Sequence, residues 1–173
     1  MKIHLEELSE GVNRFSFINS ASELNLDEPE ITYLTPVFTQ LQVVKESETL
    51  FLTGSVSARV KMECARCLEY FQTDLQSEFE LIFRKKRPMS ANKSEVELSK
   101  EDLITFEYEG EIIDLHDRIR ETVLLAIPIK PLCSQKCRGL CPICGQNLNE
   151  GECGCQQRLS SSRFSELCSL SLD

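Results

Sequence analysis

Tryptophan is missing from the 173 residues, and histidine occurs only twice, at positions 4 and 116. His4 lies in the expected first strand, far in sequence from any catalytic companion. His116 falls in the first turn of an expected helix, between Leu115 and Asp117. Both read as surface or capping residues. The chain also lacks a Gly-rich phosphate loop, a Gly-x-Ser-x-Gly elbow and a His-Glu-x-x-His helix. No general acid–base pair can be named for a ribonuclease. The expectation is therefore a protein that is not an enzyme and has no small-molecule substrate. Long apolar runs are lacking too. The best, TVLLAIPI at 122–129, falls well short of the roughly 20 residues that span a bilayer and contains Pro128. Glu6 and Glu7 break any secretory core, and the start of the chain is not the Arg- and Ser-rich kind used for organelle import. A cytoplasmic chain in a reducing compartment, with no membrane partner, is expected. Positive charge is in deficit as well: 28 acidic against 19 basic residues give −9. Affinity for nucleic acid comes from Lys and Arg neutralising phosphates, so an acidic chain does not coat RNA by bulk attraction. Any RNA contact has to use a local basic patch or a basic partner protein.

What is present points to one domain of ordinary size with a small appendage. A hydrophobic content of 41% supports one core and not two large ones. RFSFIN at 14–19, PVFTQLQVVK at 36–45 and LFLTGSVSARVKMEC at 50–64 alternate apolar and polar residues, the mark of half-buried strands. In the third run Leu52, Val56, Ala58, Val60 and Met62 share a face. The pattern resumes after Cys67 with Phe71, Leu75, Phe79, Leu81 and Phe83, which places Cys64 and Cys67 at a corner between two strands. The order suggests an antiparallel meander. A polar stretch at 85–102 reads as a flexible loop. A short strand through Ile112 and Ile113 then leads into a helix with Asp114 as its expected N-cap and Leu115, Ile119, Val123 and Ala126 on one stripe, stopped by Pro128. The expected fold is α+β: an antiparallel β-rich core with one main helix at 1–130, a zinc-ribbon-like segment at 131–158, and a short terminal helix or tail at 159–173.

Cysteine carries the chemistry. CRGLCPICGQNLNEGECGCQ, residues 137–156, holds five cysteines and four glycines. Of nine cysteines in all, eight form four close pairs, with Cys168 left over. In a reducing cytosol close-spaced cysteines are more often metal ligands or catalysts than disulfides. A thioredoxin-like centre wants its Cys-x-x-Cys between strand and helix, whereas Cys64 and Cys67 lie between strands. Structural zinc takes four ligands in a tetrahedron, so four pairs imply two four-cysteine sites. The compact grouping puts Cys141, Cys144, Cys153 and Cys155 on one zinc, with Gly145 free to take the positive φ that a knuckle needs. Cys64, Cys67, Cys133 and Cys137 form the second, clipping the sheet to the segment after the helix. A rival grouping places Cys133, Cys137, Cys141 and Cys144 on one metal and Cys64, Cys67, Cys153 and Cys155 on the other. An iron–sulfur cluster also takes four cysteines, although the ferredoxin spacings are absent.

Basic residues concentrate at Arg84, Lys85, Lys86 and Arg87, the candidate contact for RNA or a partner. The segment 128–163 carries five basic and two acidic residues, and two zinc–thiolate sites, counted with the thiolates of Cys64 and Cys67 from outside the segment, would turn its surplus of +3 into about −1. That argues for a structural role of the metal over direct phosphate binding.

CARCLEYF at 64–71, EIIDLHDRIRETVLLAIPIKPLC at 111–133 and CRGLCPICGQNLNEGECGC at 137–155 resemble the YceD family, the bacterial and plastid family named for accumulation of large-subunit ribosomal RNA. The closing SSRFSEL has Ser161-Ser162 where the family often has Asp-Pro. The resemblance implies a non-catalytic role in accumulation of 23S ribosomal RNA or large-subunit assembly. It also implies as partner ribosomal RNA or an assembly intermediate, reached directly or through a protein. Some family members are similar in the first Cys-x-x-Cys and the pair after the helix yet lack the later cysteines. From residues alone, the competing class is a thiol-based redox or zinc-sensing regulator, which needs exposed, reversibly reactive cysteines.

Overall fold

Alternation along residues 49–85 becomes a pair of long strands. In the computed structural model, which describes residues 1–86 and 101–155, β5 (Thr49–Glu63) runs antiparallel to β6 (Tyr70–Lys85) in one uninterrupted ladder from Thr49↔Arg84 to Glu63↔Tyr70. The expectations for Arg87, for positions 87–100, for Cys168 and for the tail 159–173 lie outside the described residues. β1 (Lys2–His4), β2 (Gly11–Asn19), β3 (Ile31–Tyr33) and β4 (Val37–Glu46) precede the ladder, and β7 (Thr105–Tyr108), β8 (Ile112–Asp114) and helix α1 (His116–Ala126) follow it.

The main sheet has the order β2-β4-β5-β6-β7, and β3 pairs with β5 beyond the end of β4. As read from the alternation, β2, β4, β5 and β6 form an antiparallel meander. Two features depart from that reading. β7 joins β6 in parallel, through Ile82↔Thr105 to Lys85↔Tyr108. The first strand pairs not with its sequence neighbours but with β8, as Ile3↔Ile113, making a separate two-stranded sheet. The stretch expected as a polar loop is structured at both ends, since Lys85 still belongs to β6 and a 3-10 turn at Glu101–Ile104 leads into β7.

One face of the main sheet is covered. Leu50, Leu52, Val56, Val60 and Met62 alternate inward and are buried, with Leu75, Phe79, Leu81 and Phe83 beside them. The other face carries exposed Gln40, Thr53 and Glu78. Apolar alternation on one side only requires this arrangement. α1 lies on the covered face, and its Ile119 and Val123 are buried in the same core as Ile3 and Ile113. The helix starts two residues after the expected cap. Asp114 still serves its first turn, accepting from the His116 backbone N–H at 2.9 Å, while Leu115 occupies the cap position with its side chain in the core. Burial of Leu115 sets that position, and the carboxylate caps from one residue further out.

Gly54 marks the tightest point of the sheet. A Cβ there would lie 2.5 Å from the Gln40 carbonyl oxygen and 2.6 Å from Cζ of Phe79, the residue opposite it in the ladder. The missing side chain is what lets that ring lie across β5. Gly54→Ala should therefore destabilise the protein by about 1–3 kcal/mol despite alanine's better strand entropy. Denaturant unfolding checks this; an unchanged midpoint would contradict the packing described.

Candidate metal centres

The corner between β5 and β6 is a tight turn built on two thiols. The Cys64 N–H donates to the Glu69 carbonyl at 2.9 Å, and the Leu68 N–H donates to the Cys64 carbonyl at 2.9 Å. Residues 141–146 repeat these bonds at the same offsets. Cys141 N–H donates to the Gln146 carbonyl at 2.8 Å, and Gly145 N–H to the Cys141 carbonyl at 2.9 Å. The residue after the second cysteine has positive φ in both turns, +60° at Leu68 and +75° at Gly145. The two Cys-x-x-Cys motifs thus fold into one backbone structure, although only one of them has glycine at the strained position.

This turn aims backbone N–H groups at its first sulfur. Burial pushes the Cys64 thiol up, but hydrogen bonds from the backbone of Cys133, Cys67 and Arg66 outweigh it and bring the thiol down to about 6. At Cys141 the backbone N–H groups of Cys144 and Ile143 do the same, again to about 6, and the Ile143 N–H lies 3.4 Å from the sulfur. Two other thiols behave oppositely. Cys133 is pushed up to about 12 by burial and its sulfur neighbours, and Cys155 to about 12 by its contact with Cys144 and by burial. Each turn favours one thiolate, and four together repel unless a cation joins them.

Among the described residues the sulfurs gather into two separate groups of four. Cys64, Cys67, Cys133 and Cys137 have their Sγ atoms all within 4.8 Å of one another, and so do Cys141, Cys144, Cys153 and Cys155. In the first group Cys64 and Cys137 are 3.8 Å apart and Cys67 and Cys133 3.7 Å. Zinc–sulfur bonds of about 2.3 Å give a tetrahedron with edges of about 3.8 Å. All eight thiols are free, at distances far beyond a disulfide's roughly 2.05 Å. The donor set and spacing fit a tetrahedral thiolate metal site in both places. The rival grouping across Cys133, Cys137, Cys141 and Cys144 is not assembled.

The groups differ in shelter. Three thiols of the first, Cys64, Cys67 and Cys137, are buried beneath Phe71, Leu132 and Leu140 and only Cys133 is exposed, whereas in the second only Cys141 is buried, with Cys144 exposed and Cys153 and Cys155 half-buried. Two polar residues, neither singled out by the cysteine spacing, add cross-links: Arg66 joins the two halves of the first group, and Asn149 joins the second group's loop to the first group. Arg66 donates to the Cys137 carbonyl at 3.0 Å. Asn149 donates to the Cys137 sulfur at 3.3 Å while its Oδ1 accepts from the Arg138 N–H at 2.7 Å. Such donors orient a ligand and spread its charge. Their signal in sequence was position alone: Arg66 sits inside a Cys-x-x-Cys, and Asn149 in the loop joining two pairs. The segment 131–155 is made of turns and one isolated bridge, Leu140↔Asn147, rather than strands, so beyond turn-type backbone bonds and the Ala65 N–H to Pro131 carbonyl bond at 2.8 Å it is held by sulfur and side-chain contacts.

The basic run lies elsewhere. Arg84, Lys85 and Lys86 are exposed at the end of β6. Lys85 faces Glu48 at 3.8 Å and Lys86 faces Glu109 at 2.6 Å, which offsets much of their charge. His116 contacts the Glu23 carbonyl and Asp117, a structural role.

Residues 52–171 match the family model described as "Large ribosomal RNA subunit accumulation protein YceD". The chain belongs to the YceD family. An uncharacterized protein of Mycobacterium leprae is 31% identical over 131 residues, covering 76% of this chain and 58% of that one. A chloroplastic YceD relative of Arabidopsis thaliana, "Large ribosomal RNA subunit accumulation protein YCED homolog 1", is 28% identical over 156 residues, 79% of this chain and 49% of its own length. Its counterpart in Zea mays is 25% identical over 146 residues. This YceD chain thus spans 49% to 58% of the two curated relatives given first, about half their length. No solved structure matches it.

Two expectations follow for the YceD centres. Leu68→Gly relieves a left-handed backbone strain of roughly 1 kcal/mol and should stabilise, whereas Gly145→Val imposes such strain and should destabilise. Unfolding of the metal-loaded protein measures both, and equal signs would refute the equivalence of the turns. A chelator should remove metal in two phases, with the fast phase abolished by Cys141→Ser, because that group is the less sheltered one. A single phase would contradict the difference in burial.

Proposed function

We propose that this protein is a non-catalytic factor for accumulation of large-subunit ribosomal RNA, acting in assembly of the large subunit and held in shape by two zinc ions. The family's description supports the first half. The sulfur spacing of 3.7 and 3.8 Å, at the edge length of a zinc–thiolate tetrahedron, supports the second. In this reading Cys64, Cys67, Cys133 and Cys137 hold one zinc and Cys141, Cys144, Cys153 and Cys155 the other. The metal supplies a cross-link and neutralises thiolates, with no reaction step. Four-thiolate zinc sites are closed and leave no position for a substrate.

The work divides accordingly. Residues 1–130 supply the body and the described part of the following segment, 131–155, a metal-bound appendage, a ribbon in its ligand order although not in its strands. The buried zinc fixes the appendage to the β5–β6 corner, and the outer one shapes its tip. RNA contact is confined to exposed basic side chains such as Arg84. Its neighbours Lys85 and Lys86 are already facing carboxylates, so attraction to phosphate is weak and the ribosomal partner is engaged largely through protein.

Metal analysis of the untagged protein made under reducing conditions should give about two zincs per chain. In a strain depleted of the protein, 23S ribosomal RNA should fall relative to 16S. The wild-type chain should restore it, while Cys64→Ser combined with Cys67→Ser should not. Metal-free, folded protein with reactive thiols would refute the zinc half and favour a redox regulator. Unchanged ribosomal RNA on depletion would refute the other half.

A further inference from the structure

A second feature of the molecule has nothing to do with sulfur. Between the end of α1, the turn leading into β3 and the first cysteine corner lies an open groove of about 770 Å³. Met62, Leu124, Ile127 and Ile129 form much of its wall. The charged residues lining it are Glu28, Glu30 and Glu63, and no lysine or arginine does so; Lys130, although next to Ile129 in the chain, is not part of the lining.

Three observations show the groove to be unfinished. Of its lining residues, Ile129 is 105% exposed and Tyr70 63%. Apolar side chains left this open in one place are the usual mark of a contact surface. Glu28 Oε2 and the Tyr33 hydroxyl are shut off from solvent with no hydrogen-bond partner among the described residues. Tyr33 packs on the same Val60–Met62–Leu75 cluster as Ile31 and Ile127, and burial, with the nearby Glu28 carboxylate, pushes its hydroxyl up to about 12. Glu28, Glu30 and Glu63 thus line the groove without a cation among its lining residues, and a cationic partner relieves the cost of covering their carboxylates. Finally, β3 has a strand neighbour on one side only, β5, and its Ile31 lines the groove with its N–H already donated to the Glu28 carbonyl at 3.1 Å, so an extended chain would pair with the edge beyond that residue.

We propose that this groove is a docking site for an extended basic peptide segment of a partner protein, one that inserts an apolar side chain between Ile127, Ile129 and Met62 and sets flanking Lys or Arg side chains on Glu28, Glu30 and Glu63. Charge complementarity selects this occupant. A purely apolar ligand leaves three carboxylates to be desolvated unpaired, and nucleic acid is repelled by them. The Tyr70 ring already has the Lys61 ammonium 4.9 Å above it, so the surface accommodates a cation against an aromatic at its margin. The site goes beyond the assembly role, because it stands or falls on peptide binding alone.

The test uses the full, zinc-loaded chain and a panel of fluorescently labelled twelve-residue peptides, each with one Leu, Ile or Phe flanked by Lys and Arg. Binding is read by anisotropy at moderate salt. At least one member should bind about tenfold more tightly than its Ser-for-apolar control and than its Glu-for-Lys/Arg control, a difference of about 1.4 kcal/mol. Ile129→Ser and, separately, the triple change Glu28→Gln, Glu30→Gln, Glu63→Gln should each weaken binding about tenfold. Ile129 is fully exposed, so its replacement leaves the fold intact, which thermal unfolding verifies. Methyl NMR with the best peptide should shift Ile127, Ile129 and Met62 and leave Val12 and Ile18 on β2 unmoved. A panel with no member better than its controls would overturn the proposal. So would binding indifferent to both variants, or an RNA oligonucleotide that binds with the same dependence on Ile129.

Discussion

Four sulfur atoms from two parts of the chain, 66 positions apart at their nearest, have to share a space less than 5 Å across. Thiols can do so as neutral groups, but two of the four are driven toward the thiolate by backbone hydrogen bonds or by Asn149. Negative charges at that distance repel strongly where water is scarce. The corner of the longest ladder, the exit of the helix and the approach to the second cysteine group all depend on how that repulsion is relieved. A divalent cation held by the four sulfurs would relieve it and turn a repulsive contact into a cross-link. Without one, the segment 131–155 is left with turns, one bridge and a few side-chain bonds.

The two cysteine turns show how little sequence such a structure needs. CARCL and CPICG share two cysteines and no other residue, yet they make the same pair of backbone hydrogen bonds and the same positive φ. The sulfur positions dictate the turn, and the remaining residues adapt to surroundings. Leu68 accepts strain that glycine avoids at position 145. Arg66, inside the first turn, reaches across to the Cys137 carbonyl, a job that has no counterpart in the second.

Much of this was legible in the residues, for identifiable reasons. Period-two alternation revealed β2, β4, β5 and β6 because one face of the sheet is covered and the other is not. Pairing of the cysteines by proximity suggested the same two groups that the fold assembles, since the long-range group lies at a strand corner and a helix exit. The parallel β7 and the three-residue strands β1, β3 and β8 were not legible as pairings: they are too short for a period, and their partners are chosen by tertiary packing. The cap moved because Leu115 is worth more in the core than Asp114 is at the cap. Asn149 and Arg66 escaped notice because their roles lie in distances, which spacing does not encode. The groove beside Ile129 is a product of three segments meeting, visible only once they do.

The pairing of β1 with β8 bears on how the protein is made. Residues 2–4 leave the ribosome before their partners, residues 112–114, which come more than a hundred residues later. At about 5–20 residues per second, the first strand waits roughly 5 to 20 seconds for its mate. During that interval the β4–β5–β6 meander can already close on itself, while Ile3 and Leu8, both nearly inaccessible in the finished protein, remain uncovered. A nascent-chain chaperone would find them there, and the helix that follows β8 is what finally takes them out of its reach.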